Sequence, residues 1–185
     1  MTMVLIASSG CSGYQRFTLR EGDAHFTFTY PREYENTLTD TSLGWPWVTF
    51  NRSLLEEGWV DSSIVVNASE LGHLRGHTSA RATINDFIIT VFKEAHELRV
   101  ISRSPVTVSG VEGEQIVCAY IQFPSYYDHI KGEGDVKEKT PAIFRKVAFE
   151  NDGMIWEIGM MSIEEVAEAD EEIFNHILET FRILD

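Results

Sequence analysis

The stretch AIFRKVAFENDGMIWEIGMM, residues 142–161, decides the fold class of this chain. Asn151-Asp152-Gly153 in its middle predicts a hairpin turn, because these residue types tolerate positive φ. Ala142–Phe149 leads into the turn and Met154–Met161 leads out of it. In the returning segment, two sets of side chains alternate, with Trp156, Ile158 and Met160 in one set and Ile155, Glu157 and Gly159 in the other. A period of two residues is typical of a β-strand, so we predict an antiparallel strand pair.

The same pattern extends towards the N-terminus. Leu98–Ser109 and Glu114–Phe123 are predicted strands joined by a turn at residues 110–113, which completes a four-strand meander. Residues 14–30 predict a separate hairpin that turns at residues 21–23, and Pro31 ends it because proline cannot donate to a strand ladder. Trp47–Arg52 and Trp59–Asn67 are two further candidate strands. The aperiodic residues 32–46 are predicted to form a loop.

Two helices complete the predicted elements. Thr83-Ile84-Asn85-Asp86 matches a capping box and predicts a helix over 84–96. A second helix is predicted over 171–181 with Asp170 as its N-cap, because Asp170 inside the helix would be a buried charge without a partner. Residues 162–169 would then form a separate turn. The predicted core residues of the two helices are Phe87, Val91, Phe92, Phe174, Ile177 and Phe181.

Strands that pair with their sequence neighbours, together with helices that cover them, predict one α+β domain built on an antiparallel β-sheet flanked by helices. Three motifs resemble the PsbP-like domains: the strand and Tyr-Pro entry of 26–31, the strand and Gly-x-x-Gly turn of 106–113, and the Thr-Phe-Arg close of 180–182. The resemblance implies the α-β-α sandwich of these domains and of the related Mog-like Ran-binding proteins. It also implies a non-catalytic binding or assembly role.

Cys11 follows an apolar segment and small residues, in the order Met3-Val4-Leu5-Ile6-Ala7-Ser8-Ser9-Gly10. This order resembles the lipobox of bacterial lipoproteins, in which the cysteine carries the lipid. We therefore expect residues 1–13 to be a truncated signal segment that is disordered in solution, and residues 14–185 to be the folded domain. The alternative is a frayed or strand-forming N-terminus without lipid.

The charge of the chain restricts its partners. With 29 Asp and Glu against 15 Lys and Arg, the net charge is −14, which disfavours nucleic acid. Glu172, His176 and Glu179 are spaced i, i+4 and i+7 and are predicted to share one exposed helical stripe. Such a stripe would dock a basic protein partner or hold a weak divalent cation.

The charged loop 124–140 is the other predicted contact element, because loops of this length are often functional. Its partner-contact candidates are Tyr126, Tyr127 and Asp128. For other residue types we predict structural roles: Cys118 as a buried small side chain, His73 and His77 in a solvated loop, and three tryptophans in the core, namely Trp45, Trp47 and Trp59.

No Gly-x-Ser-x-Gly motif, phosphate-binding glycine loop or cysteine pair with zinc-ligand spacing occurs in the sequence, and the glycines around His73 and His77 argue against a helical metal pair. We therefore expect no catalytic residue, no cofactor and no metal site other than the weak cation binding left open for the Glu172–Glu179 stripe. The sequence favours a non-enzymatic, extracytoplasmic binding or assembly module tethered to the membrane through lipid on Cys11. Two alternatives stay open: a cytoplasmic Mog-like protein-binding adaptor, and a hydrolase with a cleft under the 124–140 loop.

Overall fold

A computed structural model describes residues 13–21, 24–42, 45–52, 60–73, 77–94, 96–122 and 140–184. Within these ranges the chain forms ten strands, two α-helices and one 3-10 turn. The strands are β1 Tyr14–Glu21, β2 Ala24–Pro31, β3 Glu35–Asp40, β4 Trp47–Arg52, β5 Ser62–Glu70, β6 His96–Val108, β7 Val111–Gln122, β8 Thr140–Asn151, β9 Met154–Ile163 and β10 Arg182–Ile183. The helices are α1 Ala80–Glu94, the 3-10 turn Glu164–Val166 and α2 Ala167–Thr180. None of the described helices is long and apolar enough to cross a bilayer.

The strands form two sheets. β1 and β2 pair antiparallel from Tyr14 opposite Pro31 to Glu21 opposite Ala24, and β10 adds to the other edge of β2. The predicted N-terminal hairpin is therefore correct. The larger sheet has seven strands in the order β3-β4-β5-β9-β8-β7-β6, with every pair antiparallel. It contains the predicted four-strand meander.

Glycines and left-handed residues place the meander turns. Asp152 and Gly153 have φ values of 49° and 76°, as predicted for the turn between β8 and β9. The β6–β7 turn is tighter than predicted, since Ser109 and Gly110 adopt φ values of 56° and 82° and Val111 already belongs to β7. Gly113 lies within that strand, where an added Cβ would come within 2.5 Å of the Ala148 carbonyl oxygen. In the Gly-x-x-Gly motif, Gly110 therefore allows the turn, and Gly113 allows β7 to approach β8 closely.

The layers bury two apolar clusters, one on each face of the large sheet. The small sheet and α2 pack against one face, where Phe26, Phe28, Phe50, Phe149 and Phe181 are buried together. As predicted, the core face of α2 is fully buried. The smaller cluster on the other face joins α1 to β7 and β8 through Ile84, Ile116, Cys118 and Ala148.

Helix α1 begins four residues before its predicted start. Ser79 caps it, with the Ser79 hydroxyl accepting a hydrogen bond from the Ala82 backbone N–H at 3.1 Å. The Thr83 hydroxyl instead donates to the Ser79 carbonyl inside the first turn, so the capping-box prediction is wrong. Phe87 is half-buried, with its ring 4.8 Å from that of Phe144. The side chains of Val91 and Phe92 lie outside the described part of the chain.

Two strand predictions and one core prediction need correction. Residues 35–40, predicted as loop, form the edge strand β3, which pairs with β4 and has a register shift between Asn36 and Leu38. Its sequence ENTLTD lacks apolar alternation because neither face of this edge strand is fully buried. Strand β5 is shifted relative to the predicted 59–67 and runs over Ser62–Glu70. The predicted core position of Trp47 is also wrong, since this side chain is 48% exposed.

The largest correction concerns Asp170. It lies inside α2, which starts at Ala167, and its side chain is 0% exposed. The buried Asp170 charge has a partner after all, because Arg52 at the end of β4 pairs with it at 2.8 Å. A partner 118 positions away in the sequence leaves no local signal, so the N-cap prediction is wrong.

Candidate functional site

The seven residues singled out from the sequence divide into two groups. Cys11, Tyr126, Tyr127 and Asp128 lie outside the described residues. The remaining three lie on α2 and are described in full: Glu172, His176 and Glu179.

The three α2 residues do not form a uniformly exposed stripe. Glu172 and Glu179 are exposed, whereas His176 is half-buried against the N-terminal hairpin. Its Nε2 atom lies 2.7 Å from the Thr29 hydroxyl, and its ring centroid is 4.1 Å from that of Tyr14. The prediction of a solvent-facing His176 is wrong because strands β1 and β2 supply contacts that helical spacing alone does not indicate.

Backbone contacts fix His176 in this position. The Thr180 hydroxyl donates to the His176 carbonyl at 2.8 Å and accepts from the Thr29 backbone N–H at 3.2 Å. Arg182 then donates to the Glu179 carbonyl at 2.7 Å, which satisfies one of the last carbonyls of α2. The last turn of α2 is therefore joined to the edge of β2. This contact fixes the position of the exposed Glu172 and Glu179 relative to the N-terminal hairpin.

Two carboxylates act on the Tyr14 hydroxyl through their charge. Burial raises the pKa of Tyr14, and the negative charges of Glu33 and Glu172 raise it further. Glu33, which follows β2, therefore belongs to the same surface, although no pattern in the sequence singles it out. We call Tyr14, Glu33, Glu172, His176 and Glu179 the helix–hairpin patch.

The chemistry of the patch suits recognition of a cation by hydrogen bonds and charge. The Tyr14 phenol is protonated at neutral pH, as tyrosines ordinarily are, and its raised pKa keeps it so, while its ring offers a π face. The flanking carboxylates are exposed acceptors. Within the described ranges, no three His, Cys, Asp or Glu side chains converge as metal ligands do, so Glu172, His176 and Glu179 do not form the expected divalent-cation site.

A second polar cluster is buried and joins α2 to the large sheet. Beside the Arg52–Asp170 ion pair, the Tyr34 hydroxyl donates to the Ser62 hydroxyl at 2.8 Å. Burial is the main cause that raises the pKa of Tyr34. Arg145 from β8 reaches Glu171 at 2.8 Å. These contacts fix the first turns of α2, as the Thr29 and Thr180 contacts fix its last turn.

A third cluster lies between β5, β8 and β9. The Nδ1 atom of His77 is 3.3 Å from the Ser69 hydroxyl and 3.8 Å from the Glu157 carboxylate, which also pairs with Lys146. His77 is therefore packed, and the expectation that it lies in a solvated loop is wrong. Ser69 and Glu157 both face the Nδ1 atom of His77, whereas a Ser-His-Asp triad uses one ring nitrogen for the serine and the other for the carboxylate. Ser69 is also buried.

One cavity lined by described residues is small. A cavity of about 250 Å³ lies beside the ends of β7 and β8, with Arg99, Tyr120 and Glu164 among its lining residues. This is below the roughly 300–1,000 Å³ of ordinary ligand sites.

Burial raises the pKa of Tyr120 to about 12, which makes it a poor acid or base at neutral pH. Cys118 is buried as predicted, and burial raises its pKa to about 11.

No protein-family model matches the sequence, and no curated protein is similar to it at the sequence level. Solved structures are similar in fold. Cyanobacterial PsbP (CyanoP) from Synechocystis sp. PCC 6803 superposes with a TM-score of 0.60 at 14% identity, covering 97% of each chain. LpqN, involved in cell envelope biogenesis of Mycobacterium tuberculosis, gives a TM-score of 0.59 at 11% identity, covering 94% of this chain and 93% of its own.

The Ran-binding protein Mog1p of Saccharomyces cerevisiae is also similar, with a TM-score of 0.52 at 11% identity. The match covers 86% of this chain and 90% of Mog1p. The chain thus has the PsbP/Mog-like α+β fold that its sequence motifs resembled. At these identities the likeness concerns the fold alone.

Proposed function

We propose that this protein is a non-catalytic binding or assembly module that docks a basic protein segment on its helix–hairpin patch. The observation that carries the proposal is the arrangement around Tyr14. Carboxylates from two separate elements, Glu33 after β2 and Glu172 on α2, act on one half-buried phenol. A lysine or arginine side chain of a partner could contact the phenol ring and both carboxylates at once.

The rigidity of the patch supports this role. The rings of Tyr14 and His176 are in contact, and His176 is hydrogen-bonded to Thr29. The aromatic part of the patch is therefore preformed in the absence of a partner. Preformed contact groups lose less conformational entropy on binding than mobile ones. The exposed Glu172 and Glu179 would then add charge attraction that is sensitive to salt.

The structural neighbours agree with a binding role in part. Mog1p is by its description a Ran-binding protein, and LpqN acts in cell envelope biogenesis. We propose that this chain likewise acts by contact with another protein, at a cell envelope. Tyr126, Tyr127 and Asp128 would contribute a second contact element.

Binding to a lysine- and arginine-rich peptide tests the patch. Replacing Glu172 and Glu179 with Gln should weaken peptide affinity about fivefold at low salt, since each exposed ion pair contributes about 0.5 kcal/mol. Isothermal titration calorimetry measures the change. The matched control is the pair Glu70→Gln and Glu112→Gln, which removes the same charge from exposed positions at the end of β5 and the start of β7. An equal loss in both double variants would show that net charge, not the patch, binds the peptide.

We further propose that Cys11 carries lipid and tethers the domain to a membrane. The support is the lipobox-like order of residues before Cys11. In cells that process lipoproteins, the product of the full gene should sediment with membranes, and Cys11→Ser should move it to the soluble fraction. An unmodified protein that is soluble with either residue at position 11 would favour the cytoplasmic adaptor instead.

A further inference from the structure

The outward face of the small sheet has a charge opposite to that of the molecule. Phe17 and Leu19 of β1 point into the core, so the residues that alternate with them along the strand point outward. Arg16 and Arg20 are exposed there, and Arg182 of β10 is exposed opposite Thr27. The face is defined by Tyr14, Arg16, Thr18, Arg20, His25, Thr27, Thr29 and Arg182, and at its Tyr14 end it adjoins the helix–hairpin patch through His176.

Within the described residues no carboxylate occupies a position on this face. The acids that border it are Glu33 and Glu172 beside Tyr14, and Glu179 next to Arg182. Arg16 and Arg20 lie on the edge strand β1, whereas α2 is joined to the opposite edge of β2. The arginines of β1 therefore lie on the side of the hairpin away from α2, whose His176 contacts the face only at Thr29 and Tyr14.

The pairing of the face is also regular. β1 and β2 pair through eight consecutive residue pairs without a register shift, unlike β3–β4 and β6–β7. Short hydroxyl side chains lie between the arginines, and the Thr18 and Thr27 hydroxyls are 3.0 Å apart. The arginine side chains therefore extend beyond the hydroxyl side chains around them, where they are free to contact phosphates.

We propose that this face lies against an anionic lipid surface, with Arg16 and Arg20 contacting headgroup phosphates. The inference rests on the proposed tether for its orientation, because Cys11 is three residues before Tyr14 and the chain between them spans at most about 10 Å. Lipid on Cys11 would hold β1 next to the bilayer. A long nucleic acid is the less suitable polyanion, since it would meet the repulsion of a chain of net charge −14.

Cosedimentation with vesicles tests the proposal on the full 185-residue chain with an unmodified Cys11 thiol. The vesicles are equimolar phosphatidylglycerol and phosphatidylcholine, in 0.1 M salt, where charges more than about 10 Å away are screened. Each arginine at an anionic surface contributes about fivefold to partitioning, so Arg16→Gln with Arg20→Gln should weaken binding about 25-fold. Pure phosphatidylcholine, or 1 M salt, should abolish it.

Arg81→Gln is the matched control, because Arg81 is exposed on α1, on the opposite face of the large sheet. It should bind vesicles as the unmodified chain does, and Arg20→Gln alone should lose about fivefold. No binding by the unmodified chain, an equal loss with Arg81→Gln, or binding to polyglutamate but not to vesicles would overturn the proposal. Because the protein carries no lipid in this assay, such failure would leave the tether and the peptide-binding patch standing.

Discussion

At the scale of single residues, Asp170 explains how α2 is fixed to the large sheet. Its carboxylate and the Arg52 guanidinium are both buried and 2.8 Å apart. Taking two charges out of water is costly, and the pair is tolerated because each neutralises the other. The pair therefore adds specificity to the docking of α2 more than net stability.

We expect Asp170→Ala to lower the free energy of unfolding by about 3–5 kcal/mol, because it leaves the Arg52 charge buried without its partner. Urea denaturation measures the change. The double variant Asp170→Leu with Arg52→Met should recover most of the loss, since it removes both charges and keeps apolar volume. A small loss in Asp170→Ala would contradict the role assigned to this ion pair.

At the scale of elements, the start of α1 distinguishes two sequence signals. Ser79 caps the helix through the Ala82 N–H, whereas Asp86 lies inside the helix. Ser79→Ala should therefore cost about 1 kcal/mol of stability, and Asp86→Asn should change it by less than about 0.5 kcal/mol. Thermal unfolding of both variants tests the assignment. A larger effect of Asp86→Asn would restore the capping box at Thr83.

The elements that could be predicted from the sequence are those whose side chains pack in the core, because core packing leaves an apolar pattern along the strand. The β1–β2 hairpin alternates because one of its faces meets the core, whereas β9 is buried on both faces and was predicted from its apolar side chains and the Asn-Asp-Gly turn before it. Strand β3 pairs at an edge through its backbone, so its side chains carry no such pattern. The environment of His176 was missed for a related reason, because Thr29 and Tyr14 belong to a distant hairpin.

At the scale of the whole molecule, two charged surfaces lie next to each other. The helix–hairpin patch carries Glu33, Glu172 and Glu179, and the outward face of the small sheet carries Arg16 and Arg20. In the arrangement we propose, lipid on Cys11 and the arginine face hold the domain at a membrane. The acidic patch adjoins the arginine face at Tyr14 and extends along α2, where Glu172 and Glu179 are exposed to a basic partner.

The most direct test of the central claim is a titration of the ¹⁵N-labelled full chain with a lysine- and arginine-rich peptide, followed by NMR. We expect chemical-shift changes at Tyr14, Glu33, Glu172, His176 and Glu179, and their loss at high salt. The exposed acidic residues Glu164 and Glu165, before α2, serve as an internal control, because they lie outside the patch. Shifts centred on Glu164 and Glu165, or spread evenly over all acidic surfaces, would contradict the account.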